Sequence, residues 1–236
     1  MMHKGLFFIG WLFLLSSVGA QELEIDNALL LGKKELIGGE DYVLLPPAAE
    51  HFEAMKLAAA KDSIAIKIVS SFRSYETQKK IWNRKYNAFI EQGFSPIQAI
   101  DKIIEYSTLP GTSRHHWGTD IDIIDGNMKV DGDVLLTKHF HQGPYQKLRL
   151  WLEKHASTYG FILVYTKDSS RKGFLYEPWH YSYKPLSVSI LKQYVEKNLL
   201  SKVTKDSLLL GHEYLSSDFI NRYFNENILG IHPALK

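Results

Sequence analysis

Ser113-Arg-His-His-Trp-Gly-Thr-Asp-Ile-Asp-Ile-Ile124 is the stretch on which the reading of the fold turns. From Thr119 to Ile124 carboxylates and isoleucines alternate, the period of a strand with one polar and one buried face. Asp120 and Asp122 therefore point the same way. The Pro110-Gly111 turn opens a loop before it, so His115 and His116 arrive on irregular backbone at the start of that strand. Upstream, Ile64–Ser71 alternates like a second strand. Pro46-Pro47 leads a helix through Ala49–Lys61, and another helix spans Glu76–Gln92 with Ile81, Trp82, Tyr86 and Phe89 in one stripe, read as core. Ser95-Pro96 starts a shorter helix to about Tyr106, with proline in its first turn. Downstream, residues 144–159 read as a helix with Leu148, Trp151, Leu152, His155 and Tyr159 on one side, while Phe161–Tyr165 and Phe174–Tyr183 read as strands. Strands scattered among helices, with no repeat or low-complexity linker, predict an α+β fold.

The second informative segment is Glu177-Pro-Trp-His-Tyr-Ser-Tyr183. The chain has no cysteine, which excludes thiol nucleophiles, Cys-ligated zinc, iron–sulfur clusters and disulfides. Any metal must use His and carboxylates. A catalytic zinc commonly takes three protein ligands and keeps one position open, and His115, Asp122 and His180 can supply two imidazoles and a carboxylate. Glu177, three residues before His180, would lie close to the open position and can accept a proton from the attacking water. Spacing alone leaves His115 and His116 as alternatives.

Across its 236 residues the chain carries 28 Lys and Arg against 26 Asp and Glu, a net charge of +2, which argues against nucleic acid as a partner. With 45% hydrophobic residues it can bury a sizeable core. The apolar run Leu6–Val18, ending in Val18-Gly19-Ala20, reads as a secretory signal over residues 1–20. As a helix it would reach only about 20 Å, short of the roughly 30 Å needed for a stable membrane span. The expected location is therefore periplasmic or extracellular.

These residues resemble the zinc D-alanyl-D-alanine carboxypeptidases of the VanY type, related to the VanX dipeptidases and Hedgehog domains. That family's pattern, Ser-x-His-x-x-Gly-x-(Ala/Ser)-x-Asp followed by Glu-x-x-His, is met by Ser113, His115, Gly118, Asp122, Glu177 and His180. Upstream, Ser70-Ser-Phe-Arg-Ser-Tyr-Glu-Thr-Gln78 looks like the family's strand-to-helix segment. The resemblance runs from roughly Leu44 to Tyr183. It implies a Hedgehog/D,D-peptidase-like fold, a small antiparallel sheet with flanking helices. It also implies one zinc per chain held by His115, Asp122 and His180, with Glu177 as base and Arg73 facing the developing oxyanion. Ser113 and Gln78 are expected to contact substrate. The implied substrate is the peptidoglycan stem peptide, cut at its terminal D-Ala; an L,D-carboxypeptidase, a stem-peptide endopeptidase and a non-catalytic zinc-stabilised wall-binding domain stand as alternatives.

The expected organisation is a leader over 1–20, a zinc peptidase domain over 21–184 and a helical extension over 185–236. Leu186–Leu199 and Ser217–Asn227 form amphipathic helices in that extension, which reads as a cap on the main domain. One departure from the family pattern stands out: Asp120 occupies the position of the usual small residue. It can orient a ligand His, raise the local negative charge, or face solvent at the strand end.

Overall fold

The computed structural model describes residues 24–203 and 205–236. The leader expected over 1–20 lies outside them. Among the described residues no helix is long and apolar enough to cross a membrane. The chain runs through α1 (Asn27–Leu30), α2 (Pro46–Lys61), β1 (Ile66–Ser70), α3 (Tyr75–Glu91) and α4 (Pro96–Ile103). A 3-10 turn over Arg114–Trp117 then leads into β2 (Asp120–Asp125). After it come α5 (Thr137–His141), α6 (Gln146–His155), β3 (Phe161–Leu163), β4 (His180–Tyr183), α7 (Lys184–Glu196), α8 (Leu200–Val203) and α9 (Ser217–Tyr223). The four strands form one antiparallel sheet in the order β1-β2-β4-β3, an α+β architecture as expected.

Local chemistry accounts for the helix starts. Pro46 and Pro47 open α2, where a missing N–H costs nothing. Ser74 caps α3 by accepting from the Thr77 N–H, and Ser95 with Gln98 forms a full capping box on α4. Three expectations are corrected. Phe174–Tyr183 is not one strand: pairing begins only at His180, because Pro178 has no ladder N–H to give. The helix over 144–159 ends at His155, followed by a 3-10 turn that Gly160 closes in the left-handed region. The helix over Ser217–Asn227 stops at Tyr223 and continues as a π turn.

Every residue of β2 is buried. One face, Ile121 and Ile123, packs with Phe52, Met55, Phe161 and Tyr181 in a core between the sheet, α2 and α6. The other face carries Asp120 and Asp122 into an equally buried polar site. A second core joins α3 and α4 to the C-terminal residues: Trp82, Ile103 and Leu109 share it with Tyr194, Leu209 and Tyr223. Residues 185–236 thus pack into the same apolar interior as the elements that precede the site.

Candidate metal centre

The pairing of β2 with β4 builds the centre. Asp122 lies opposite His180 and Asp120 opposite Ser182, so the period of two sets all four side chains on one face of the sheet. His115 joins them from the 3-10 turn, which ends at Gly118 with φ 66°. A Cβ there would come within 2.5 Å of Leu36 Cδ1, so glycine is required both by conformation and by space.

The ligand atoms of His115, Asp122 and His180 all lie within 4.8 Å of one another, and all three residues are buried. His115 Nε2 is 3.2 Å from Asp122 Oδ2, and His180 Nδ1 is 3.8 Å from Asp122 Oδ1. Asp122 Oδ1 is buried with no hydrogen-bond partner. A buried acceptor left so costs about 1–3 kcal/mol, and a cation between it and the two imidazoles removes that cost. The His115 ring donates from Nδ1 to the Ser71 carbonyl at 2.8 Å, leaving Nε2 bare toward Asp122. Two imidazoles and a carboxylate with space beside them are a donor set that fits zinc.

Glu177 stands next to this set, Oε2 lying 3.0 Å from His180 Nδ1. Burial pushes its carboxyl above the usual range, although His180 pulls against that shift. Asp122 goes the other way. Burial alone would raise it, but His115, His180 and Arg73 outweigh that and hold it down at about 2. Arg73 reaches Asp122 Oδ2 at 3.7 Å and donates to Ser70 Oγ at 2.7 Å and Gln78 Oε1 at 3.0 Å.

His116, the alternative ligand, points elsewhere. Its Nδ1 donates to the Arg73 carbonyl and its Nε2 accepts from the Gly111 N–H at 2.9 Å. Burial holds this ring neutral, its pKa pushed down to about 3. Gly32 lies against the same ring, where a Cβ would meet Nδ1 at 2.3 Å.

Arg73, Ser113, His115, Asp122, Glu177 and His180 all line one cavity of about 420 Å³, a volume suited to a small peptide end. Gln78 does not. It is fully buried behind Arg73, its amide nitrogen donating to Ser107 Oγ and the Thr108 carbonyl and its amide oxygen accepting from Arg73. Ile81, expected in the core, is half-buried on the cavity wall.

Sequence reasoning missed Lys85, Tyr106 and Tyr165 on that wall and read Trp179, which also lines it, as core. A signal for Lys85 existed: Gln78, Ile81 and Lys85 recur at helical spacing on one side of α3. Tyr165 sits edge-on to His180, with ring centroids 5.1 Å apart. The strand expected over Phe161–Tyr165 ends at Leu163, so Tyr165 stands on irregular backbone beyond it.

Residues 42–186 match the family model of VanY, D-alanyl-D-alanine carboxypeptidase. The chain is 29% identical over 144 residues to a bifunctional D-Ala-D-Ala dipeptidase and carboxypeptidase of Enterococcus gallinarum, covering 61% of this chain and 68% of that protein. It is 30% identical over 127 residues to a D-alanyl-D-alanine carboxypeptidase of Enterococcus faecalis, covering 53% of this chain but only 42% of the relative. Among solved structures, VanYB in complex with D-alanine-D-alanine shares the fold with a TM-score of 0.52 at 19% identity, over 73% of this chain and 90% of that one. A D,D-pentapeptidase VanY mutant in complex with Zn(II) does so with the same TM-score at 21% identity, over 77% and 88%. With the family model matching more than half of its residues, the chain belongs to the VanY D-alanyl-D-alanine carboxypeptidases.

Proposed function

We propose that this protein is an exported zinc-dependent carboxypeptidase that removes the terminal D-Ala from peptidoglycan stem peptides. The observation that carries the reading is the convergence of three metal-competent side chains, a buried carboxylate and an arginine on one cavity. His115, Asp122 and His180 would hold the ion. Zinc in such a site acidifies water and polarises a carbonyl.

The protein's own residues supply the remaining steps. Glu177, kept from bulk water and adjacent to the centre, takes the proton of the attacking water and returns it to the leaving amine. Burial raises its proton affinity, which suits it to both transfers. Arg73, fixed by Ser70 and Gln78, faces the oxygen on which negative charge grows. Ser113 lines the same wall and orients the peptide. The leader expected over residues 1–20 supports export to the compartment where stem peptides occur.

Incubation of the zinc-loaded protein with defined muropeptides, followed by mass spectrometry, tests the reading. Loss of a single alanine from pentapeptide stems is expected. Cleavage only of tetrapeptide stems would assign L,D-specificity, cleavage within the stem an endopeptidase, and no cleavage a binding domain; each would replace the proposal. Glu177→Gln should retain its zinc and lose turnover by about 10²–10⁴-fold, since the amide cannot accept a proton. Near-normal rates in that variant would end the mechanism.

A further inference from the structure

We infer that Asp120 is a positioning residue for the metal centre: with Arg114, it locks His180 in the tautomer that offers Nδ1 to the ion. This inference rests on the zinc reading of His115, Asp122 and His180 and adds a component that the motif does not contain. Asp120 has no solvent exposure, which removes the alternative in which it faces solvent.

All of its acceptor capacity is used. Oδ1 accepts from Thr119 Oγ1 at 2.8 Å and from Ser182 Oγ at 2.7 Å. Oδ2 accepts from Arg114 Nε at 2.9 Å and lies 3.0 Å from His180 Nε2. An ionised carboxylate is acceptor-only, so Asp120 holds a hydrogen on His180 Nε2; Nδ1, which has Glu177 Oε2 at 3.0 Å, is left as the nitrogen whose lone pair a bound ion takes. Nδ1 is the nitrogen that faces Asp122. His115 shows the opposite assignment, with its hydrogen on Nδ1, held by the Ser71 carbonyl. The two imidazoles thus reach one point with different nitrogens, each fixed by a different acceptor behind it.

Arg114 is what allows a carboxylate in this place. It is 4% exposed, pairs with Asp120 through Nε, and donates from Nη2 to Ser182 Oγ at 2.7 Å, while Ser182 donates to Asp120. Arg114, Ser182 and Asp120 close a cycle that prevents the carboxylate from rotating away from His180. Its charge is countered by the Arg114 guanidinium 2.9 Å away. The guanidinium also stacks over Trp117, with its Cζ 4.8 Å from the ring centroid, so the turn that carries His115 also anchors the partner of His180. One side chain ties both histidines to a common frame.

The test measures zinc affinity by chelator competition and the visible absorption of the cobalt-substituted protein, together with the melting temperature of the metal-free form. Asp120→Asn should weaken zinc binding by about 10–100-fold and alter the cobalt spectrum. Because that variant leaves Arg114 buried without its counter-charge, a second variant, Arg114→Met with Asp120→Ser, removes both charges together and should show the same weakening in a folded protein. A purely structural role would lower the melting temperature while leaving zinc affinity and the cobalt spectrum of the folded protein unchanged, and that result overturns the inference. Failure of the unaltered protein to bind zinc would overturn the metal reading and this inference with it. Zinc lost on His115→Ala but bound normally by the double variant would sink the role of Asp120 alone.

Discussion

Gln78 Oε1 accepts a hydrogen bond from Arg73 Nη1 at 3.0 Å from a position with no solvent exposure. Its amide nitrogen donates to Ser107 Oγ and the Thr108 carbonyl, so one side chain ties the arginine to the loop that forms another part of the cavity wall. If Gln78 acts through Arg73, the two substitutions cannot be additive. Arg73→Ala should lower turnover by roughly 10²–10³-fold, as expected for a lost oxyanion partner, and Gln78→Ala by about tenfold. The double variant should then fall no further than Arg73→Ala. Steady-state kinetics on the four proteins checks this, and fully additive losses would give Gln78 a separate function.

His116 gives the fold a pH dependence of its own. Its folded pKa is pushed down to about 3 by burial, against an ordinary imidazole value of 6.5. Below that ordinary value the unfolded chain takes up a proton that the folded chain refuses, so stability is intact above about pH 6.5 and declines as the pH falls. The slope approaches 1.4 kcal/mol per pH unit, or about 2 kcal/mol by about pH 5. His116→Gln removes it. Urea unfolding of both chelator-treated proteins between about pH 7 and pH 5 should show the advantage of the original chain narrowing with acid. A gap that stays constant with pH would mean that the ring is not held neutral.

The parts of this site legible in the sequence are those set by local spacing. Asp120 and Asp122 share a face because a strand has period two, and that much needs no partner strand. What Asp120 does there depends on register with Ser182 and His180, about sixty residues later, which no local pattern encodes. Gln78 was visible as a helical residue near Arg73, but whether its amide turns to the cavity or to Arg73 is decided by the loop at 107–108. The strand expected from Phe174 begins only at His180, because Pro178 has no N–H to give a ladder. Amphipathic spacing likewise located α7 and α9 without identifying the surface they cover.

That surface is the site's own scaffold, and this leads to the last expectation. Tyr223 is 1% exposed; its hydroxyl accepts from the Leu109 N–H at 3.0 Å and pairs with Thr112 Oγ1 at 2.9 Å. Tyr194 donates to the Gly111 carbonyl at 3.0 Å, and Asn227 Nδ2 to the Ile104 carbonyl at 3.3 Å. These bonds hold the segment that delivers Ser113 and His115, while Trp82 donates to the Leu210 carbonyl from within α3. Truncation after Lys184 would strip Tyr194, Leu209 and Tyr223 from a shared core, each worth roughly 1.5–3 kcal/mol in burial alone, against a typical stability of about 5–15 kcal/mol for a whole domain. The truncated chain should therefore fail to fold, by circular dichroism and by loss of stoichiometric zinc. Tyr223→Phe isolates the polar contribution: it keeps the ring, leaves the Leu109 N–H unpaired, and should cost about 1–3 kcal/mol in urea unfolding while the centre still binds zinc. A folded, zinc-binding fragment ending at Lys184 would show instead that the C-terminal helices are a dispensable cover.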